Sequence, residues 1–509
     1  MADGAARPAT AWMDVPPLVF PPLDRDCTAD VCIVGAGIAG MSTAYSLACE
    51  GRSVVVLDDG PVGGGMTQRT TAHLSNAVDD RYVEIERRHG VDGARAAANS
   101  HTAAIDRIER TVAEEQIDCD FERLDGYLFA PLDTDPELLA RELAAARRAG
   151  LVGVEQVALQ PVGGTVVDSC LRFPRQAVFH PLKYLGAVAE AVRSRGGRIF
   201  CATHAASVQG GGSTRVTTTS GHTVTAGAAV VATNTPINDV VAIHTKQAPY
   251  STYVVALRLP RGAGMHALFW DTADPYHYVR LQRPAHGDYD LLIVGGEDHK
   301  SGQAQDGAAR LARLEQWART HFPLAQDVEL RWSGQVMEPV DGVAFIGRNP
   351  GDADNVYIVT GDSGMGMTHG TIAGILLTDL ILDRPSPWAK LYDPSRKMLR
   401  EAVEYAKENA NVAAQYLKDY ASGGDVKSAD DIVPGHGAVL RRGLAKVAAF
   451  RDADGVLHER SAVCPHLGCV VRFDAVERTW NCPCHGSRFD GHGRVIVGPA
   501  NRDLASLDG

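Results

Sequence analysis

Apolar and polar positions change rhythm several times along the chain, and each change predicts an element. Asp30-Val-Cys-Ile-Val34 is a short apolar run, the mark of a buried strand. Gly35-Ala-Gly-Ile-Ala-Gly40 follows, then a helical stretch from Met41 to Glu50 that Gly51 stops. A second strand runs from Ser53 to Leu57 and ends at Asp58. Strand, glycine turn, helix and strand within about 30 residues make a βαβ unit. Helices are expected over 92–115, over 135–149 before Gly150, and over Pro181–Arg195, where Leu182, Leu185, Val188 and Val192 share a stripe. Strands are expected around 198–207 and over 214–232. Alternation over 250–300 puts Tyr276, Tyr278 and Arg280 on one strand face. Residues 356–383 read as strand, glycine-rich turn and helix. Asp393-Pro394 predicts a helix start, a cap before proline. Leu399, Val403, Ala406, Ala410, Ala413 and Leu417 carry that helix to about Tyr420. Past Ala421-Ser-Gly-Gly-Asp425 the pattern is short strands and turns.

Length and charge narrow the classes. The chain has 509 residues, 45% apolar and 22% charged, which suits a folded protein with more than one core. A net charge of −12 argues against nucleic acid or an anionic membrane as partner. No apolar run reaches the roughly 18 residues of a membrane span. The N-terminus lacks a basic start followed by an apolar segment, so no secretory signal is expected and the cytoplasm is the expected location. Of ten cysteines, Cys27, Cys32, Cys49, Cys119, Cys170 and Cys201 are scattered as in a thiol-keeping compartment, whereas Cys464, Cys469, Cys482 and Cys484 crowd together.

The glycine turn predicts a dinucleotide site. Gly35 permits the tight turn, Gly37 lets a pyrophosphate approach the backbone, and Gly40 lets helix and strand pack closely. The helix N-terminus offers free N–H groups to that pyrophosphate. Asp58, 18 residues past Gly40, can accept from ribose hydroxyls. The fingerprint serves FAD and NAD alike. No second copy is present, as direct use of NADH would usually require; Gly210-Gly-Gly212 and Gly295-Gly296 lack the spacing. Three further segments favour FAD: Pro61-Val-Gly-Gly-Gly-Met-Thr-Gln-Arg69-Thr70-Thr71-Ala-His73, Val230-Val-Ala-Thr-Asn234, and Thr360-Gly-Asp-Ser-Gly364-Met-Gly366-Met367-Thr368-His369-Gly370. Together they resemble the D-amino-acid-oxidase-like superfamily of FAD oxidoreductases, which includes glycine and sarcosine oxidases, over residues 28–385. The resemblance implies a Rossmann-like α/β FAD domain interleaved with an α+β substrate domain. It also implies hydride removal from a CH–N or CH–OH carbon. By the same resemblance Gly364, Gly366, Met367 and Thr368 meet the cofactor, as do Arg69, Thr70, Thr71 and His73. His73 is either a flavin contact or its covalent attachment point. Arg280, Tyr278 and His369 are the catalytic candidates. Glycine-oxidase-like members place an arginine before Pro-x-x-Asp-Gly, and Trp332-Ser-Gly-Gln-Val-Met-Glu338-Pro-Val-Asp-Gly342 holds none; Arg280 could replace it, or be a solvated strand residue or part of an internal ion pair. Glu338 could instead attract a cationic amine, or be an acid at the surface or behind the residues that line the site.

The last 46 residues carry a second chemistry. Cys464-Pro-His466 and Cys482-Pro-Cys-His485 offer two thiolates and two imidazoles. Zinc would accept that set, as would a Rieske [2Fe–2S] centre with Cys₂ on one iron and His₂ on the other. The loops resemble Rieske proteins of the cytochrome bc1 type over about 430–509. That resemblance makes Cys464 and Cys482 ligands of one iron and His466 and His485 of the other. It makes Cys469 and Cys484 a disulfide and Ser487 a hydrogen-bond donor to cluster sulfur. Phe489 stands where high-potential members have tyrosine, and Gly498-Pro499 marks a covering loop.

The expected organisation is a lead-in at 1–27, an oxidoreductase domain at 28–385, a linking helix at 386–425 and an all-β Rieske domain at 426–509. Within the second, the FAD part is expected at about 28–80, 176–250 and 330–385, and the substrate part at about 81–175 and 251–329. The expected function is oxidation of an amine, N-alkyl compound, amino acid derivative or alcohol, with electrons leaving through the cluster to an unknown acceptor. The alternative is an electron-transfer component whose FAD is loaded by an external reductant and whose cluster serves a partner oxidoreductase.

Overall fold

The computed structural model describes residues 9–507 except 132–134, 136, 160–166, 239–242, 285–286, 398–401 and 422. Two sheets build the large N-terminal part. The first has the strand order Phe345–Arg348, Val356–Thr360, Thr223–Val231, Cys27–Val34, Val54–Leu57, Arg198–Phe200, and is parallel from the second strand onward. Its strands are apolar runs such as Val54-Val-Val-Leu57, buried throughout, because helices cover the sheet. The Ile38–Cys49 and Gly366–Ile381 helices lie against each other on it. Glycine makes that possible: a Cβ on Gly374 would stand 2.6 Å from the Ser42 carbonyl oxygen.

The second sheet has nine strands, from Val328–Pro339 through Gln247–Pro260, Tyr289–Lys300, His277–Gln282, Leu268–Asp271, Glu122–Phe129 and Val167–Val178 to His73–Leu74, with Glu155–Leu159 beside it. The boundaries expected near 175, 250 and 329 each fall inside one of these strands. The second sheet therefore runs across the divisions that the sequence pattern suggests. The span Arg81–Glu114 is two helices joined at Gly90, whose φ of +73° is not helical; the second matches the helix expected at 92–115.

Asp393-Pro394 does not start a helix. The Asp393 carboxylate accepts from the N–H and hydroxyl of Ser395, closing a turn. Arg396 then pairs with Asp341 at 2.6 and 2.8 Å. The described helix is Ala402–Ala421; Leu399 lies outside the described residues. The C-terminal part is all β, with a three-stranded sheet at His436–Ser461 and a four-stranded one at Arg472–Val497. No described helix is long and apolar enough to cross a membrane.

Candidate active site and cluster site

A cavity of about 880 Å³ opens where the two sheets meet. Gly35, Gly37 and Ile38 line it at the start of the first helix, with Asp58 at the end of the adjoining strand. Gly35 sits at φ +106°, and a Cβ there would lie 2.4 Å from the Ala232 carbonyl oxygen; one on Gly40 would lie 1.8 Å from the Gly35 oxygen. Only glycines leave this cradle open. Asp58 accepts from the N–H groups of Ala36 at 2.6 Å and Gly60 at 2.7 Å. Burial pushes its carboxyl up to about 7. Thr67, unforeseen in the sequence, turns its Oγ1 onto the Ile38 N–H at 3.1 Å. An open helix N-terminus, an acid at the neighbouring strand end and a cavity of this size fit a dinucleotide.

At the other end of the cavity Thr70, Thr71 and His73 face Gly364, Met365, Gly366, Met367 and His369. His73 Nδ1 meets the Thr71 hydroxyl at 3.0 Å and Nε2 meets the Val279 carbonyl at 3.3 Å. Burial, with Arg280 nearby, pushes its pKa down to about 3, so the ring is neutral. Both nitrogens already have partners, so a non-covalent flavin is the expected result: acid denaturation will release it. A pellet that stays yellow would contradict this. His369 Nδ1 donates to the Asp362 carbonyl at 2.8 Å, and burial pushes its pKa down to about 4. Thr368 turns away from the cavity, with its hydroxyl 2.8 Å from His101 Nδ1. His101 lies in the middle of a long helix, where nothing in the sequence singles it out.

Tyr278 lines the cavity beside Tyr276 and Trp270. Arg280 does not take the role expected of it. Two residues along the strand, it lies beneath the His73 loop and donates to the carbonyls of Thr71, Ala72 and Phe179 and to Gln282. Trp12 packs under its guanidinium at 5.2 Å and donates to the Thr70 carbonyl at 2.6 Å. The lead-in thus braces the loop, and a lone Trp among prolines and alanines was the available signal. Arg69 lines the cavity, but its guanidinium reaches the Ser333 carbonyl and Glu477 of the C-terminal domain. Glu338 is not a surface acid: it accepts from Ser363 at 2.6 Å, and burial, with Asp80 and Asp79 nearby, pushes its carboxyl well up. Asp79 and Asp362, by contrast, do reach the cavity. Asp79 accepts from the Tyr276 hydroxyl at 3.1 Å.

The C-terminal loops bring their four donors together. Cys464 and Cys482 are buried thiols outside any disulfide. They share a hydrogen bond that draws the Cys464 thiol down to about 7. The rings of His466 and His485 are 5.0 Å apart, and the buried Nδ1 of His485 has no hydrogen-bond partner among the described residues. A thiol pair, an imidazole pair and an orphaned ring nitrogen on these two loops fit a [2Fe–2S] centre, with Cys₂ on one iron and His₂ on the other. Cys469 and Cys484 are joined by a disulfide with Cα atoms 6.5 Å apart. Ser487 accepts from the Ala500 N–H at 3.0 Å and reaches the Cys464 thiol. Phe489 is fully buried.

The two sites share a wall. Residues 494–498 and 500–503 of the C-terminal domain line the nucleotide cavity. Asn501 Nδ2 donates to the carbonyls of Ala205 and Ala206 at 3.1 and 2.9 Å. No spacing rule in the sequence places these segments side by side.

Residues 30–380 match the model of the family described as FAD dependent oxidoreductase, and residues 424–508 match the Rieske [2Fe-2S] domain. A Bacillus subtilis (strain 168) protein carried under the name Rieske 2Fe-2S iron-sulfur protein YhfW is 32% identical over 98% of both chains. The gamma-glutamylputrescine oxidoreductase of Escherichia coli (strain K12) is 28% identical over 71% of this chain and 85% of its own length. Among solved structures, glycine oxidase from Geobacillus kaustophilus superposes with a TM-score of 0.61 at 17% identity, covering 73% of this chain and 99% of its own, a likeness of fold. The chain therefore belongs to the FAD-dependent oxidoreductases and carries a C-terminal Rieske domain, with FAD and a [2Fe–2S] cluster as its cofactors.

Proposed function

We propose that this enzyme oxidises a cationic aliphatic amine and sends the electrons through its Rieske domain to a one-electron acceptor. One observation carries the substrate class. The cavity wall joins the carboxylates of Asp79 and Asp362 to the rings of Tyr276, Tyr278 and Trp270. Carboxylates and aromatic faces together recognise an ammonium group. Among the described residues, the arginines lining the cavity are Arg69, Arg494 and Arg502. Arg69 is held by Glu477, and the other two belong to the C-terminal domain. The relative named gamma-glutamylputrescine oxidoreductase supports the same class.

FAD supplies a two-electron hydride acceptor and the cluster a one-electron carrier. The residues of the chain do the rest. Gly35, Gly37 and the helix behind them receive the pyrophosphate, and Asp58 the ribose. His73 and His369, both neutral, bound the reacting end without adding charge. Cys464, Cys482, His466 and His485 hold the irons. Asp79 and Asp362 hold the ammonium, and Tyr276 and Tyr278 close the cavity against water.

Asp79 makes this testable by pH. Burial pushes its carboxyl up to about 7, despite the hydrogen bond from Tyr276. The carboxylate form binds the cation, and it grows in as pH rises through that value. KM for an aliphatic amine is therefore expected to fall between pH 6 and 8. Asp79→Asn will flatten that profile and raise KM by about tenfold to a hundredfold, as loss of a hydrogen bond to a charged group implies. An Asp79→Asn enzyme with unchanged KM and pH profile would remove the basis of this reading.

A further inference from the structure

The geometry points to Gln335 as the residue that places the flavin cavity in electronic contact with the cluster, a positioning role that rests on the electron route proposed above. Gln335 lies on the Val328–Pro339 strand and, with Gly334 and Val336, lines the cavity. Its Nε2 donates to the Gly486 carbonyl at 2.8 Å. Gly486 stands between His485, which binds iron, and Ser487. One buried side chain, 3% exposed, thus spans from the flavin's cavity to the cluster loop.

The amide's orientation follows from its partner. A carbonyl can only accept, so Nε2 must face Gly486 and Oε1 must face elsewhere. Oε1 is buried and has no hydrogen-bond partner among the described residues. The loop is shaped to this seat. Gly486 has φ +81°, and a Cβ there would lie 2.5 Å from Pro249 Cβ and 2.8 Å from Gln335 Nε2. Any larger residue would lift the loop away. The other cluster-ligand ring is seated from the same side: His244 of the FAD-binding part lies 4.9 Å from His466 and 6.1 Å from His485, ring centre to ring centre. Both histidine ligands of the cluster therefore rest against the flavin-binding half of the chain.

The step is a single electron transfer. Each crossing removes one electron from reduced flavin and turns one ferric iron of the cluster ferrous. No covalent bond forms or breaks, and the electron moves alone. The next electron crosses only after an external one-electron oxidant, ferricyanide in the test, has emptied the cluster.

The test uses the anaerobic holoenzyme. A light flash reduces the bound FAD with a tertiary alkylamine as sacrificial donor, and cluster reduction is followed by its absorbance and by freeze-quench electron paramagnetic resonance. Gln335→Leu and Gln335→Met keep the volume and remove the hydrogen bond. Both are expected to slow cluster reduction at least about tenfold, the equivalent of about 1.4 kcal/mol of barrier. The cluster's g-values, iron content and reoxidation by ferricyanide should stay as in the parent. Transfer as fast as in the parent would overturn the role of Gln335 while leaving the route intact. A parent enzyme whose flavin is reduced while its cluster stays oxidised would instead overturn the route. Loss of the cluster in both variants would make Gln335 a scaffold residue and also overturn the proposal.

Discussion

Cys464→Ala protein will be yellow rather than brown. It will retain FAD, lose the cluster's paramagnetic signal and carry fewer than the two irons per chain of a [2Fe–2S] centre. The separation is expected because the four proposed iron ligands come from two loops of the C-terminal domain. The flavin cradle, by contrast, is built by Gly35, Gly37 and Asp58 in the N-terminal sheet. His485→Asn will behave alike, since the orphaned Nδ1 of His485 then has no counterpart that binds iron as strongly. Zinc in place of iron in the parent protein, however prepared, would contradict the assignment. Such a variant must also fail to pass electrons to ferricyanide through the cluster while its flavin still bleaches.

Glu477→Gln will destabilise the junction between the domains by about 3–5 kcal/mol, the cost of breaking a buried ion pair by removing one partner. Glu477 is fully buried between Arg69 of the FAD-binding part and Arg488 of the Rieske domain. Its other carboxylate oxygen accepts from the Ser333 N–H at 2.7 Å. Without its charge, Arg69 and Arg488 face each other in a site where burial already pulls the Arg69 pKa down. Flavin retention should fall as well, because Arg69 lines the cavity. Thermal melts and flavin-release rates measure the two effects. Arg69→Met combined with Glu477→Leu should recover little of the loss, since it leaves the buried Arg488 guanidinium and the Ser333 N–H facing a side chain that cannot accept. If the single variant melts like the parent, the cluster of charges does not hold the domains.

Local signals made much of this molecule legible. The βαβ unit was plain because strand, glycine turn and helix are neighbours in the chain, and the Cys-x-His and Cys-x-x-His loops because the iron ligands lie within 22 residues. Long-range partners were not. Arg280 and Tyr278 share a strand face as alternation predicts, but nothing local shows that the His73 loop and Trp12 cover one and not the other. Asp79, Asp362, Gln335 and Glu477 are ordinary residues in ordinary segments. They acquire meaning only when the nine-stranded sheet brings 333–338 against both the cavity and the Rieske loops. Asp393-Pro394 misled because the same cap chemistry closes a turn as readily as it starts a helix.

The central claim is that an amine reduces the flavin and the electrons reach the cluster within the same chain. The most direct measurement mixes anaerobic holoenzyme with a panel of aliphatic diamines, N-alkylamines, amino acids and hydroxy acids, beside NADH and NADPH. It records flavin bleaching and the cluster's paramagnetic signal together. A cationic amine is expected to bleach the flavin and raise the signal of the reduced cluster, whereas NADH and NADPH do neither at rates near 1 s⁻¹. Rapid reduction by NADH with no response to any amine would contradict it.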